Sequence, residues 1–327
     1  MRKCPRDYCY APDATCRDGE DDLLKCEYWL KGRDSEGAEM TLTEDEPAEG
    51  AHVTRLPWSG NTLGLADLEF VASRHRPHVV GIAGPQNAGK TTFLAMVYLL
   101  LRRGHFPAVG QFAGSYSLGG WEQLARYFEW KSDAEPEYPP HTAADEGRRP
   151  GLLHLSFRSS SGARRDTLWT DAPGEWFQRW SVARDTAAAA GARWTYEHAD
   201  SLLLFADSGA LAGEKRGSAC ANLELLTDRL GEDLRGRKVA LVWAKSDIEV
   251  PNPIRRRVEG ACAKNLPTVE IFRVNVPQEN LPTDAVIAEF IRLMTWLLIP
   301  MSVNSARIEL PVAILGDPLL AFRGRPK

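Results

Sequence analysis

The apolar positions of this chain alternate between two patterns. Short continuous runs rich in Val, Ile and Leu predict buried strands. Stretches with apolar residues three and four apart predict amphipathic helices. The strands expected are HVVGIA (78–83), LLHLSFR (152–158), RRDTLWTD (164–171), SLLLFAD (201–207), KVALVWA (238–244) and TVEIFRV (268–274). Helices are expected over TTFLAMVYLLLRRG, which stops at Gly104 as helices commonly do at glycine, and over EWFQRWSVARDTAAAAGARWTYEHA to about 199 with a break at Gly191. Further helices are expected over 221–230, about 253–264 and 285–299. LLHLSFR and RRDTLWTD flank SSSG, which predicts an antiparallel pair joined by a tight turn. After the first strand the order is α-β-β-α-β-α-β-α-β-α. That order predicts an α/β fold: a mostly parallel sheet with one antiparallel strand pair and helices on both faces.

The regions outside this alternation predict three additions. Residues 1–50 are polar, cysteine-bearing and acidic towards their end, and read as a small cap with a linker. The main domain then spans 51–300, with an insertion at about 105–150 in which SYSLGGWEQLARYFEW predicts a helix of its own. Residues 301–327 form a C-terminal extension too apolar for a free tail (IELPVAILGDPLLAF), so it is expected to pack on this domain or on a partner.

Composition narrows the function classes. A net charge of −4 and a pI near 6.0 do not indicate nucleic acid, and the basic clusters RHRPH and IRRRVEG read as solvated faces. No apolar run reaches the roughly 18 residues of a membrane span, and MRKCPRDYCYAPD lacks an apolar signal core. The expectation is a cytoplasmic protein with reduced thiols. Four of the six cysteines, Cys4, Cys9, Cys16 and Cys26, crowd the first 26 residues. Their spacing, C-x4-C-x6-C-x9-C, contains no C-x-x-C knuckle, so two readings stand: Zn²⁺ on four thiolates, or plain reduced thiols.

The sharpest local pattern is GPQNAGKTT, Gly84–Thr92, which satisfies G-x-x-x-x-G-K-[ST] between an expected strand and an expected helix. Phosphate oxygens need several backbone N–H groups turned inward. A glycine-permitted turn curls that tightly, and the following helix adds its positive end. Gly84, Asn87, Ala88, Gly89 and Thr92 would form the cradle. Lys90 would reach the β- and γ-phosphates, and the Thr91 hydroxyl would meet Mg²⁺. Downstream, Asp171-Ala172-Pro173-Gly174-Glu175 closes a strand and reads D-x-x-G. Asp171 would serve Mg²⁺, and Gly174 could bring its amide close to a γ-phosphate.

GPQNAGKTT, then DAPG, then Lys245-Ser246-Asp247, in that order on successive strands, resemble the Ras-like and translation-factor class of P-loop GTPases over about residues 78–299. The resemblance implies a Ras-like P-loop NTPase fold with GTP/GDP and Mg²⁺ as ligands. It also implies a switch at Gly174 that orders around the γ-phosphate and relaxes after hydrolysis. Glu175 stands where many such GTPases place a water-orienting Gln; it reads either as a water-positioning acid or as a helix-start acid. The class also closes a threonine over Mg²⁺ before the second strand. Thr142 in EYPPHTAADEG is the candidate, with Ser115 and Ser117 behind it. WSGNTLGLADL, PPHT, DAPGEWF and WAKSDI, with the cysteine cap, further resemble the double-GTPase proteins proposed for bacterial conflict systems. That likeness implies an intracellular regulatory or defence GTPase working with a partner protein.

The base would be read at VWAKSD (242–247). Asp247 could accept both hydrogen bonds from the guanine N1–H and amine, and Lys245 could lay its stem across the base. The residue before the lysine is usually Asn or Thr. Ala244 forfeits about one hydrogen bond, ~1 kcal/mol, and leaves discrimination to Asp247. Asn275 in FRVNVPQEN is the nearest polar candidate for the last base element. The reading expected is therefore a GTP-hydrolysing switch. A nucleotide-bound scaffold with little hydrolysis, and an ATPase, are the alternatives. No arginine has the context of a finger, which an activator could supply in trans.

Overall fold

β1 (His78–Ala83) is buried along nearly its whole length because it lies in the middle of the sheet, with strands on both sides and helices on both faces. The structure is a computed structural model and describes residues 25–26, 62–73, 75–128, 150–277 and 281–299. The chain divides into two units, Met1–Arg55 and Leu56–Lys327, and every strand and α-helix among the described residues belongs to the second.

The remaining strands are β2 (Gln111–Gly114), β3 (Gly151–Arg158), β4 (Arg164–Asp171), β5 (Ser201–Asp207), β6 (Lys238–Ala244) and β7 (Glu270–Val274), in the order β2-β3-β4-β1-β5-β6-β7. β1 pairs in parallel with β4 and β5, and β5, β6 and β7 follow in parallel. β3 and β4 are the expected antiparallel pair, turned by Ser159–Ala163 with Gly162 at φ 84°. The insertion adds β2, antiparallel to β3 at the sheet edge. Four residues of QFAG carry too little alternation to announce a strand.

One face is covered by α2 (Lys90–Arg102), α3 (Leu118–Ala125) and α9 (Asp284–Leu298). Phe93 fixes it, stacked on Phe290 at 5.4 Å and edge-on to Phe205 at 5.4 Å, so the helix after the phosphate loop is bolted to β5 and to the last helix. α3 is the helix expected inside the insertion. The opposite face is covered by α4 (Gly174–Val182), α5 (Ala190–His198), α7 (Arg216–Gly231) and α8 (Asn252–Asn265). α1 (Leu68–Ala72) and Leu63, which bridges to Leu152, close the rest of that face over Val79 and Leu168. A five-residue helix, α6 (Ser208–Ala212), follows β5 directly.

The largest boundary differences from the sequence expectation fall at two places among the helices. The break between α4 and α5 falls at 183–189, while Gly191 lies inside α5. Glycine is needed there for close packing, since a Cβ would stand 2.2 Å from the Trp176 ring. α7 begins at Arg216 rather than 221, because its first turn is solvent-facing and shows no apolar period. No helix among the described residues is long and apolar enough to cross a membrane.

Candidate functional site

The site forms where the parallel strands β4, β1, β5 and β6 end at one edge of the sheet, as open α/β sheets place their ligands. β1 releases the chain into Gly84, whose φ of 152° and tight seat against β5 need glycine: a Cβ would meet the Phe205 Cβ at 2.8 Å and its carbonyl oxygen at 3.0 Å. Asn87 at φ 63° and Gly89 at φ 83° complete the curl, and Gly89 stands at the left-handed start of α2. Ala88 is fully buried beneath the loop, while Asn87 is exposed.

Lys90 is only 7% exposed, and its ammonium donates to the loop's own carbonyls, Gly84 O at 3.2 Å and Pro85 O at 2.8 Å. Burial pushes its pKa from the usual lysine range down to about 8, although Asp171 and Glu175 pull it upward. A buried ammonium held by carbonyl dipoles fits an anionic ligand, which would further favour the charged form. Thr91 Oγ1 donates to Asp171 Oδ1 at 3.0 Å, so the hydroxyl and carboxylate expected around Mg²⁺ already converge. Thr170, one residue earlier, accepts the Ile82 N–H at 3.0 Å and fixes β4 beside β1. A hard oxygen donor pair beside an N–H cradle suits Mg²⁺ with phosphate. Thr92 lies half-buried in the first turn of α2.

Gly174 opens α4 directly on the phosphate loop. A Cβ there would stand 2.2 Å from the Gln86 nitrogen and 2.4 Å from the Pro85 carbonyl carbon. The D-x-x-G glycine and the loop therefore touch backbone to backbone. Glu175 follows in the first turn of α4, close enough to Lys90 to affect its charge. Thr142 lies outside the described residues. Ser115 and Ser117 are spent on β3: Ser115 donates to His154 O at 2.6 Å and Ser117 accepts from His154 N at 2.7 Å.

The segment expected to read the base leaves β6 at Ala244, which is 4% exposed and packs 3.7 Å from where a Gly89 Cβ would be. Lys245 takes the left-handed region at φ 53°. The Ser246 N–H bonds Val274 O at 3.2 Å, which ties this loop to the end of β7 just before Asn275. Asp247 is exposed. Sequence reasoning passed over Asp207, the buried last residue of β5, which bonds Lys245 Nζ at 2.9 Å. Its signal was an acid closing a continuous apolar strand before SGALA, the pattern of a helix N-cap.

The other metal reading rests mostly on Cys4, Cys9 and Cys16, which lie outside the described residues; Cys26 is buried. Among the described residues no group of three or more His, Cys, Asp or Glu is placed to hold a metal ion. Cys220 and Cys262 are core thiols, and burial pushes the latter up to about 11, away from reactivity.

No curated protein matches the chain. The family profile described as Double-GTPase 2 matches residues 78–297, from the first residue of β1 into the last turn of α9. That span contains the phosphate loop, the D-x-x-G turn and the Lys-x-Asp segment on one sheet edge, and the chain belongs to the Double-GTPase 2 family of P-loop proteins.

Proposed function

We propose that this protein binds GTP and GDP with Mg²⁺, hydrolyses GTP, and uses the two nucleotide states to change its affinity for a partner protein. The observation that carries this reading is the seat of Gly174 on Pro85 and Gln86. A γ-phosphate arriving in the loop would meet the start of α4 as well as Lys90, and its loss would remove that contact. Such a differential contact is what a two-state switch needs. Gly84, Asn87, Ala88, Gly89, Lys90, Thr91 and Thr92 would bind the phosphates. Thr91 and Asp171 would hold Mg²⁺, together with Thr142. Lys245 and Asp247 would read the base. Catalysis in such a site is positioning and charge stabilisation, with Lys90 as the fixed cation and Glu175 beside the attacking water. The sequence likeness to conflict-system double-GTPases supports placing the switch in a bacterial defence pathway.

The scaffold reading has one observation in its favour. A carboxylate at Glu175 adds negative charge beside Lys90, where a triphosphate would already be anionic. Identification of the nucleotide retained on purified protein, followed by titration with labelled GTP and ATP and a turnover assay with Mg²⁺, separates the readings. Tighter binding of ATP would refute the guanine assignment, and GTP binding without turnover would leave the scaffold.

A further inference from the structure

We propose that Asp207 is a positioning residue for the base-reading loop and supplies the tether that Ala244 does not. The inference rests on the guanine-nucleotide reading above. β5 lies between β1, which carries the phosphate loop, and β6, which carries the base loop. Its end touches both. Phe205 abuts Gly84, and Asp207 stands in register with Ala244.

The Asp207 carboxylate is 5% exposed and its two oxygens are divided. Oδ1 accepts the Gly209 and Ala210 N–H groups at 3.0 and 3.3 Å, capping α6. Oδ2 accepts from Lys245 Nζ at 2.9 Å. The acid is thus locked by two backbone donors before it holds the lysine, so it can act as a fixed post. The lysine stem lies over the start of α6: a Gly209 Cβ would sit 3.7 Å from Lys245 Cδ and 3.5 Å from Ile248 Cδ1. Lys245 also holds a backbone conformation uncommon for a residue with a side chain, at φ 53°. A long, rotamer-rich side chain beside a strained turn would otherwise sample many arrangements. The ion pair selects the one in which the stem lies along the loop, and with it sets the turn that presents Asp247.

The test is Asp207→Asn. Asn caps a helix about as well as Asp, so α6 keeps its cap while the charge that holds Lys245 is lost. If the competent Lys245 arrangement falls to about a tenth of molecules, affinity for fluorescently labelled GDP falls about tenfold. Preference for GDP over IDP, which lacks the exocyclic amine, narrows with it. Lys245→Met and the double variant complete a cycle, and the double variant is expected to bind about as weakly as Lys245→Met alone. Losses that multiply in the double variant would overturn the latch, since a destabilised fold would weaken binding in addition to the lysine change. Unchanged affinity and selectivity in Asp207→Asn would overturn it too. Wild-type protein that binds no guanine nucleotide would overturn the base reading and the latch together. Wild-type binding with an indifferent Asp207→Asn would overturn the latch alone.

Discussion

Replacing Gly174 by alanine sets two effects against each other. Gly174 is the first residue of α4 and has no left-handed φ, so helix propensity alone would make alanine stabilising by up to about 1 kcal/mol. Sterics run the other way. The new Cβ would lie 2.2 Å from the Gln86 nitrogen, 2.4 Å from the Pro85 carbonyl carbon and 2.6 Å from the Gln86 Cα. These are backbone atoms of the phosphate loop and cannot rotate aside. Restoring an ordinary contact of about 3.4 Å requires the start of α4 and the loop to separate by about 1.2 Å, and overpacking of this kind costs about 1–3 kcal/mol. With the full propensity gain subtracted, the net expected loss is about 0–2 kcal/mol, a fall in melting temperature of at most a few degrees in a domain of this size. The larger effect is functional. A misplacement of about 1 Å at a reacting centre can cost about a hundredfold in rate. Single-turnover GTP hydrolysis should therefore fall about a hundredfold, while labelled GDP, which on the proposed reading would be held mainly by the loop and Lys90, should still bind within about threefold of wild type. The measurement pairs a hydrolysis time course with nucleotide titration and a melt. Hydrolysis within about threefold of wild type would show that the Gly174 contact plays no part in the reaction.

Lys90, with a pKa of about 8, should take up a proton when phosphates arrive at pH 9, and nucleotide affinity should fall about tenfold from pH 7 to pH 9 as the free ammonium is lost. Calorimetry in two buffers of different ionisation enthalpy reads the uptake, and its absence at pH 9 would refute the depressed lysine. Asp247→Asn should move base preference from guanine towards xanthine nucleotides by at least about tenfold, because the amide can donate to the xanthine C2 carbonyl where the carboxylate could only accept; an unchanged preference in competition binding would remove Asp247 from the base site. Burial raises the Asp166 carboxyl, but His154, Ser156 and the nearby imidazoles more than offset this and hold it down to about 2. Its folded pKa lies below the unfolded value, so its stabilisation, about 2 kcal/mol, is present above pH ~4 and lost as pH falls through about 2. Asp166→Asn should lower the melting temperature by a few degrees at pH 7 and flatten the acid limb of a stability profile; a variant with the wild-type profile would contradict the pairing.

The Asp166 cluster shows the kind of feature that periodicity does not reveal. His154 and Asp166 lie on adjacent antiparallel strands and meet at 3.4 Å, with His75 reaching the other carboxylate oxygen at 3.2 Å from the segment before β1. In the sequence they are an ordinary histidine and aspartate in apolar runs, and only the strand register brings them together. Asp207 and Lys245 are 38 residues apart, and their pairing exists because parallel β5 and β6 end side by side.

Most of the local structure was legible in the chain itself. Strands buried on both faces read as continuous apolar runs, and the long helices show their 3.6 period. The phosphate loop is legible because its glycines, lysine and threonine are neighbours in the chain. Tertiary structure decided the rest. It set Gly174 against Pro85 and Gln86, gave Thr91 its Asp171 partner, and brought the Asp207 carboxylate to Lys245. These contacts depend on strand order and register. A single chain's pattern of apolar and polar residues constrains which face a side chain takes, but not which distant strand end will stand beside it.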